Sequence, residues 1–179
     1  EETVPLVGTA EDDINDALCA LSRALTESNA TFRAISAHFA GDPGWDCLMA
    51  VPFCSDRKWS AAAFEERGAF VLGAPDVLFP GDEGVLSKAE EYATNGLRVL
   101  ALARTGGRVR EDAPLPPLER MALVVLSDEI REQAADTFRY FAEEGVTIKV
   151  ISGDNPSTVS AVARLLRDKP CPVIVTNRP

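Results

Sequence analysis

The 179-residue sequence predicts an α+β fold, an antiparallel sheet flanked by helices, followed by a shorter α/β run. Three observations carry that expectation. The chain opens with two helical stripes, Ile14, Leu18, Leu21 and Leu25, then Phe32, Ile35 and Phe39, each spaced to bury one face. Short β-rich segments follow, separated by turns rather than crossover helices, which suits antiparallel pairing. Beyond Ala113-Pro114-Leu115-Pro116-Pro117, strand and helix alternate, the pattern of parallel strands joined by right-handed crossovers.

Taken in order, Glu1–Thr9 reads as a short strand or arm. Glu11–Leu25 is the first helix, with acids in the turn where the helix dipole favours them. A second helix runs from near Thr31 to Phe39; His38, beside its stripe and without a partner Ser, Cys or metal-ligand pattern, reads as structural. Gly41-Asp42-Pro43-Gly44 breaks the helical run. Cys47–Phe53, Trp59–Phe64 and Ala69–Gly73 are strands, the last two joined by the hairpin turn Glu65-Glu66-Arg67-Gly68. Ala74-Pro75-Asp76 ends the third strand. A helix fits Leu86–Thr94, closed by Asn95-Gly96 as a left-handed cap, and Leu97–Arg104 is a further strand.

The proline-rich segment cannot continue a ladder or a helix, so it divides the chain into domains over 1–116 and 117–179. In the second, Met121–Leu126 is a continuous apolar strand and Asp128–Glu144 an amphipathic helix capped by Gly145. The strand Val146, Ile148, Val150, Ile151 ends abruptly at Ser152-Gly153-Asp154-Asn155, and Pro156 starts another helix. This β-α-β-α run calls for parallel strands, and Pro172–Thr176 adds one more.

Charge and cysteine usage exclude several functions. A net charge of −10 argues against nucleic acid as a partner, though not against a nucleotide held by a few local cations. Cys19, Cys47, Cys54 and Cys171 lie far apart, with no C-x-x-C and a single histidine. That excludes the usual zinc spacings, identifies no metal-ligating set and fits reduced thiols in a cytoplasmic setting. No apolar run approaches a membrane span. The chain begins without Met and stops at Asn177-Arg178-Pro179, as expected of a piece excised from a longer protein. Ser152–Asn155 places a hydroxyl, a carboxylate and a glycine at a strand's carboxyl end beside a helix N-terminus, where open α/β sheets bind phosphates or metals.

Five short motifs then converge on one family. Ile151–Asn155 (ISGDN) resembles the (T/S)GDN loop of P-type cation-transporting ATPases, in their Rossmann-like, haloacid-dehalogenase-type phosphorylation domain. Asp128-Glu129-Ile130-Arg131 is similar to that family's D-x-x-R turn, and Leu97–Ala103 (LRVLALA) to a strand of its nucleotide-binding domain. Gly73-Ala74-Pro75-Asp76 resembles its GAP(E/D) motif, and Pro52–Lys58 (PFCSDRK) its PF-x-x-x-x-K segment. Each match alone is weak, and their shared order over Val51–Ala163 makes the resemblance strong.

The resemblance implies a nucleotide-binding domain with part of a phosphorylation domain, from a bacterial magnesium-dependent pump of the cytoplasmic membrane that carries calcium or magnesium. Phe53 matches the family's adenine-stacking phenylalanine and Lys58 its adenine-pocket lysine. Gly73 allows close backbone approach, and Arg98 reaches the phosphates. Asp128, Arg131, Ser152 and Asp154 fall in the phosphorylation site. ATP with Mg²⁺ is the implied cofactor pair, and the implied partners are the membrane and actuator domains and a cation bound outside this chain. Two departures weaken the pocket: Leu72 stands where the family's lysine precedes the GAP motif, and Ser55 where an arginine is frequent. ATP affinity is therefore expected near the millimolar level, about −4 kcal/mol. Trp59 reads either as a pocket wall or as a hairpin packing residue. The nucleophile motif DKTGT and the GDG-x-N-D metal motif are absent from the sequence, so no turnover is expected from this segment alone. A free-standing haloacid-dehalogenase-type phosphatase lacks its required D-x-D pair here, and a docking domain would show an apolar exposed patch.

Overall fold

A computed structural model of the chain describes residues 2–6, 8–26, 29–127, 132–146, 149–151, 156–165 and 174–176. Asp128, Arg131, Ser152 and Asp154 lie outside the described residues. The chain divides into two compact units, Glu1–Leu86 with Val99–Leu126, and Ser87–Arg98 with Ser127–Pro179.

The first unit is built on a six-stranded sheet. In chain order its strands are β1 (Glu2–Pro5), β2 (Cys47–Cys54), β3 (Trp59–Phe64), β4 (Gly68–Gly73), β5 (Arg98–Thr105) and β6 (Glu119–Leu126), arranged β1-β6-β5-β4-β3-β2. The β1–β6, β2–β3, β3–β4 and β4–β5 pairs are all antiparallel. Helices α1 (Glu11–Ala24) and α2 (Ala30–His38) cover one face, as the stripes at Ile14, Leu18, Leu21, Phe32 and Ile35 require. Their apolar faces meet Ala62, Phe70, Leu72, Leu102 and Val124 in one core cluster. The Asn29 side chain accepts the Phe32 N–H at 2.8 Å and so caps α2. Alternate residues of the same strands, Ala61, Val71 and Ala103, point to the other face and are buried too.

Strand β6 differs from expectation. Met121–Leu126 is expected to open a parallel run, yet it pairs antiparallel with β1 and lies beside β5 inside the sheet. All six residues are buried. A continuous apolar run records burial on both faces, which a central antiparallel strand between two covered faces satisfies as well as a parallel one.

Two short elements follow β4. Pro75 does not merely end the strand: it occupies the first turn of α3 (Pro75–Leu78), where its missing N–H has no role. Helix α4 (Glu83–Ala93) begins earlier than its apolar pattern indicates. Asp82, ahead of the expected start at Leu86, supplies its cap: Oδ1 accepts the Val85 N–H at 3.3 Å, and Oδ2 pairs with Arg120 Nε of β6 at 2.6 Å.

The second unit contains the end of α4, α5 (Glu132–Glu143), β7 (Lys149–Ile151), α6 (Pro156–Leu165) and β8 (Ile174–Thr176). Strands β7 and β8 are parallel, with Lys149 opposite Ile174 and Ile151 opposite Thr176. Gly96 and Gly145 adopt left-handed φ values of 81° and 69° behind α4 and α5. The next residue in each case, Leu97 or Val146, donates its N–H back to Tyr92 or Phe141, closing both helix ends. At the start of α6, Thr158 Oγ1 donates to the Leu97 carbonyl at 3.1 Å, and Ser157 Oγ donates to Glu90 Oε1.

Candidate functional site

The outer strand β2 is apolar in sequence but interrupted in structure. Val51 pairs with Ala61 and Cys54 with Trp59, so Pro52 and Phe53 face the single residue Ser60. One extra residue on one strand is a β-bulge, which bends the strand and re-aims a side chain. Pro52, lacking an N–H, belongs at such an edge position. The result is visible in exposure: Val51 is 2% exposed and Phe53 45%.

The turn after β2 brings a cation beside this ring's strand. Lys58 donates its backbone N–H to the Cys54 carbonyl at 2.7 Å and sits at φ 59°, a left-handed conformation uncommon for a side-chain-bearing residue. Its carbonyl accepts the Ala74 N–H at 3.0 Å. Because Cys54 pairs with Trp59 and Trp59 with Gly73, the segments carrying Phe53, Lys58 and Gly73 gather at one end of the sheet. Arg98 opens β5, is half-buried and is grouped with the second unit.

Gly73 is needed by its own scaffold. A Cβ there would lie 2.6 Å from Trp59 Cβ, 2.7 Å from the Lys58 carbonyl oxygen and 2.8 Å from Leu78 Cδ1. Leu72, at the position of the missing family lysine, is 4% exposed and packs in the helix-covered core. An ammonium there would be desolvated among Ala62, Phe70 and Leu102, and a leucine suits this packing. Ser55 lies exposed in the turn. Trp59 is buried at 5% exposure, in keeping with a hairpin packing residue.

Arg57 carries a role that the motif alone does not indicate. Its Nη2 donates to the Pro52 carbonyl at 2.8 Å, and its guanidinium lies over the Trp59 ring, with Cζ 5.1 Å from the centroid. Residues on either side of a tight turn face one another, which is the only signal for this contact in the sequence. On the β3 side, Arg57 and Trp59 also line a cavity of about 860 Å³, walled by Leu78, Phe79, Asp112 and the proline segment 114–117; Phe53, Lys58 and Gly73 do not line it. At its rim the Arg110 guanidinium, hydrogen-bonded to Asp112, holds that carboxyl below its ordinary value.

An exposed aromatic and a lysine at the adjoining turn offer what an adenine nucleotide uses on a protein surface, a face for the base and a cation for charge. For a divalent metal, no cluster of three or more His, Cys, Asp or Glu occurs among the described residues. No helix among them is long and apolar enough to cross a membrane.

The fold and the site thus define an α+β domain with an exposed aromatic side chain, Phe53, at one end of its sheet. No family model matches the chain. The calcium-transporting ATPase CtpE of Mycobacterium tuberculosis is 41% identical over 155 residues, 86% of this chain and 19% of its own length. CtpE of Mycolicibacterium smegmatis is 41% identical over 160 residues, covering 88% of this chain and 20% of its own. The probable cation-transporting ATPase exp7 of Streptococcus pneumoniae is 36% identical over 167 residues, covering 92% and 21%. The chain is homologous to one segment of the bacterial P-type cation-transporting ATPases, spanning 19–21% of these relatives' length.

Proposed function

We propose that this chain is the ATP-binding segment, with part of the phosphorylation domain, of a cation pump that works at the cytoplasmic side of a membrane. The observation that carries the reading is Phe53: an aromatic ring turned outward by a bulge, with Lys58 at the adjoining turn, in a chain homologous to such ATPases. Phe53 stacks the adenine, and Lys58 and Arg98 orient the phosphates. Asp128, Arg131, Ser152 and Asp154 form one wall of the phosphorylation site. Mg²⁺ bound to the nucleotide's phosphates would supply charge neutralisation there. The aspartyl-phosphate forms on a residue outside this sequence, and its hydrolysis drives cation transport through membrane segments also outside it. Calcium is the proposed cargo, as the name of the calcium-transporting ATPase CtpE relatives suggests.

Titration of the isotope-labelled chain with ATP, followed by backbone NMR shifts, tests this reading. Shifts centred on Phe53, Lys58 and Gly73 with a midpoint of about a millimolar are expected. An unperturbed spectrum around those residues at several times that concentration contradicts it.

A further inference from the structure

We infer that Arg57 is a positioning residue for the Phe53 ring, an inference that rests on the nucleotide reading above. The ladder between β2 and β3 is interrupted by a register shift at Pro52 and Phe53. Pro52 and Phe53 share one opposing residue, Ser60, across the bulge, and Pro52 has no N–H to offer the ladder. The orientation of the Pro52–Phe53 peptide, which bears on where the ring points, is open to a restraint from outside the ladder.

Arg57 provides it. Nη2 donates to the Pro52 carbonyl at 2.8 Å, the oxygen of that same peptide. The guanidinium is in turn seated on the Trp59 ring, which is anchored in the buried end of β3. Contacts thus run without a break from the core, through Trp59 and Arg57, to the peptide on which Phe53 turns. Arginine suits the post better than lysine, because its flat cation stacks on an indole while its fork still reaches a carbonyl. Arg57 Nε is shielded from solvent with no acceptor among the described residues.

A positioning residue must act through the ring it positions, which a double-mutant cycle on the 179-residue chain detects. Arg57→Gln is expected to weaken ATP binding about fivefold, the worth of one ordinary hydrogen bond. Phe53→Ala/Arg57→Gln should then bind ATP no more weakly than Phe53→Ala alone. Arg57→Lys, which keeps the charge but not the stacked fork, should show a smaller loss in the same direction, and it carries the comparison if Arg57→Gln fails to fold. Unchanged ATP binding in Arg57→Gln, or losses that add in the double variant, overturns the inference and leaves Phe53 as the base-holding residue. Unchanged ATP binding in Phe53→Ala removes the nucleotide reading, and this inference with it.

Discussion

Strands β2 and β6 are both eight residues long and rich in apolar side chains, yet they do opposite things. In β6, Met121–Leu126 is buried throughout between β1 and β5, in an unbroken register with β1. In β2, Leu48 is 67% exposed and Phe53 45%, and the register shifts twice. Apolar content therefore does not separate a buried strand from one that presents a ring to solvent. Interruption does. A proline and a bulge at a sheet edge guard against pairing with another chain and turn a ring toward solvent. Where nothing interrupts the run, both faces go to the core.

Substitutions that sharpen this contrast start with the strongest. Leu123→Ala in β6 should destabilise the fold by about 2–5 kcal/mol, read by urea unfolding, because Leu123 is fully buried in a central strand. Gly73→Ala should cost about 1–3 kcal/mol in the same measurement, since the added methyl meets the Lys58 carbonyl and Trp59 rather than open space. Asp82→Ala removes the cap of α4 and its pairing with Arg120 and should cost about 0.5–2 kcal/mol.

Smaller effects divide stability from function. Lys58 and Glu66 both hold left-handed φ values, 59° and 58°, at the turns on either side of β3. Glycine at either place relieves backbone strain, so Lys58→Gly and Glu66→Gly should each be neutral to about 1 kcal/mol stabilising. Only Lys58→Gly should weaken ATP binding. The smallest effect belongs to Asp112. Its folded-state pKa is depressed by Arg110, so its stabilisation is present above the unfolded-state value and lost as pH falls through the folded one. Because the pair is exposed and screened, Asp112→Asn should leave a thermal melt at neutral pH unchanged.

Much of this is legible in sequence wherever local rules decide. The helical stripes at Ile14–Leu25 and Phe32–Phe39, the hairpin at Glu65–Gly68 and the glycine caps at Gly96 and Gly145 follow from periodicity and φ preference. The partners of β6 are not legible, because a fully apolar run is silent about strand direction. The motif comparison shows that Leu72 replaces a cation, but not why: the position faces the α1–α2 core, a fact of sheet register. Asp82 reads as a loop acid until Arg120 is brought to it. Pro52 within an apolar strand does signal an edge or bulge, and so points at Phe53; the tie from Arg57 to the Pro52 carbonyl exists only once the turn has closed.

The contrast between the two strands is tested most directly by Phe53→Ala measured for both stability and ATP binding. Its thermal midpoint should stay within about 2 °C of the parent, as expected for a half-exposed edge residue. Its ATP affinity should fall by the worth of one base–aromatic stack, about 1–3 kcal/mol. A variant destabilised as strongly as is expected of Leu123→Ala, or one that keeps its fold and binds ATP as tightly as the parent, contradicts the assignment of β2 as the binding strand.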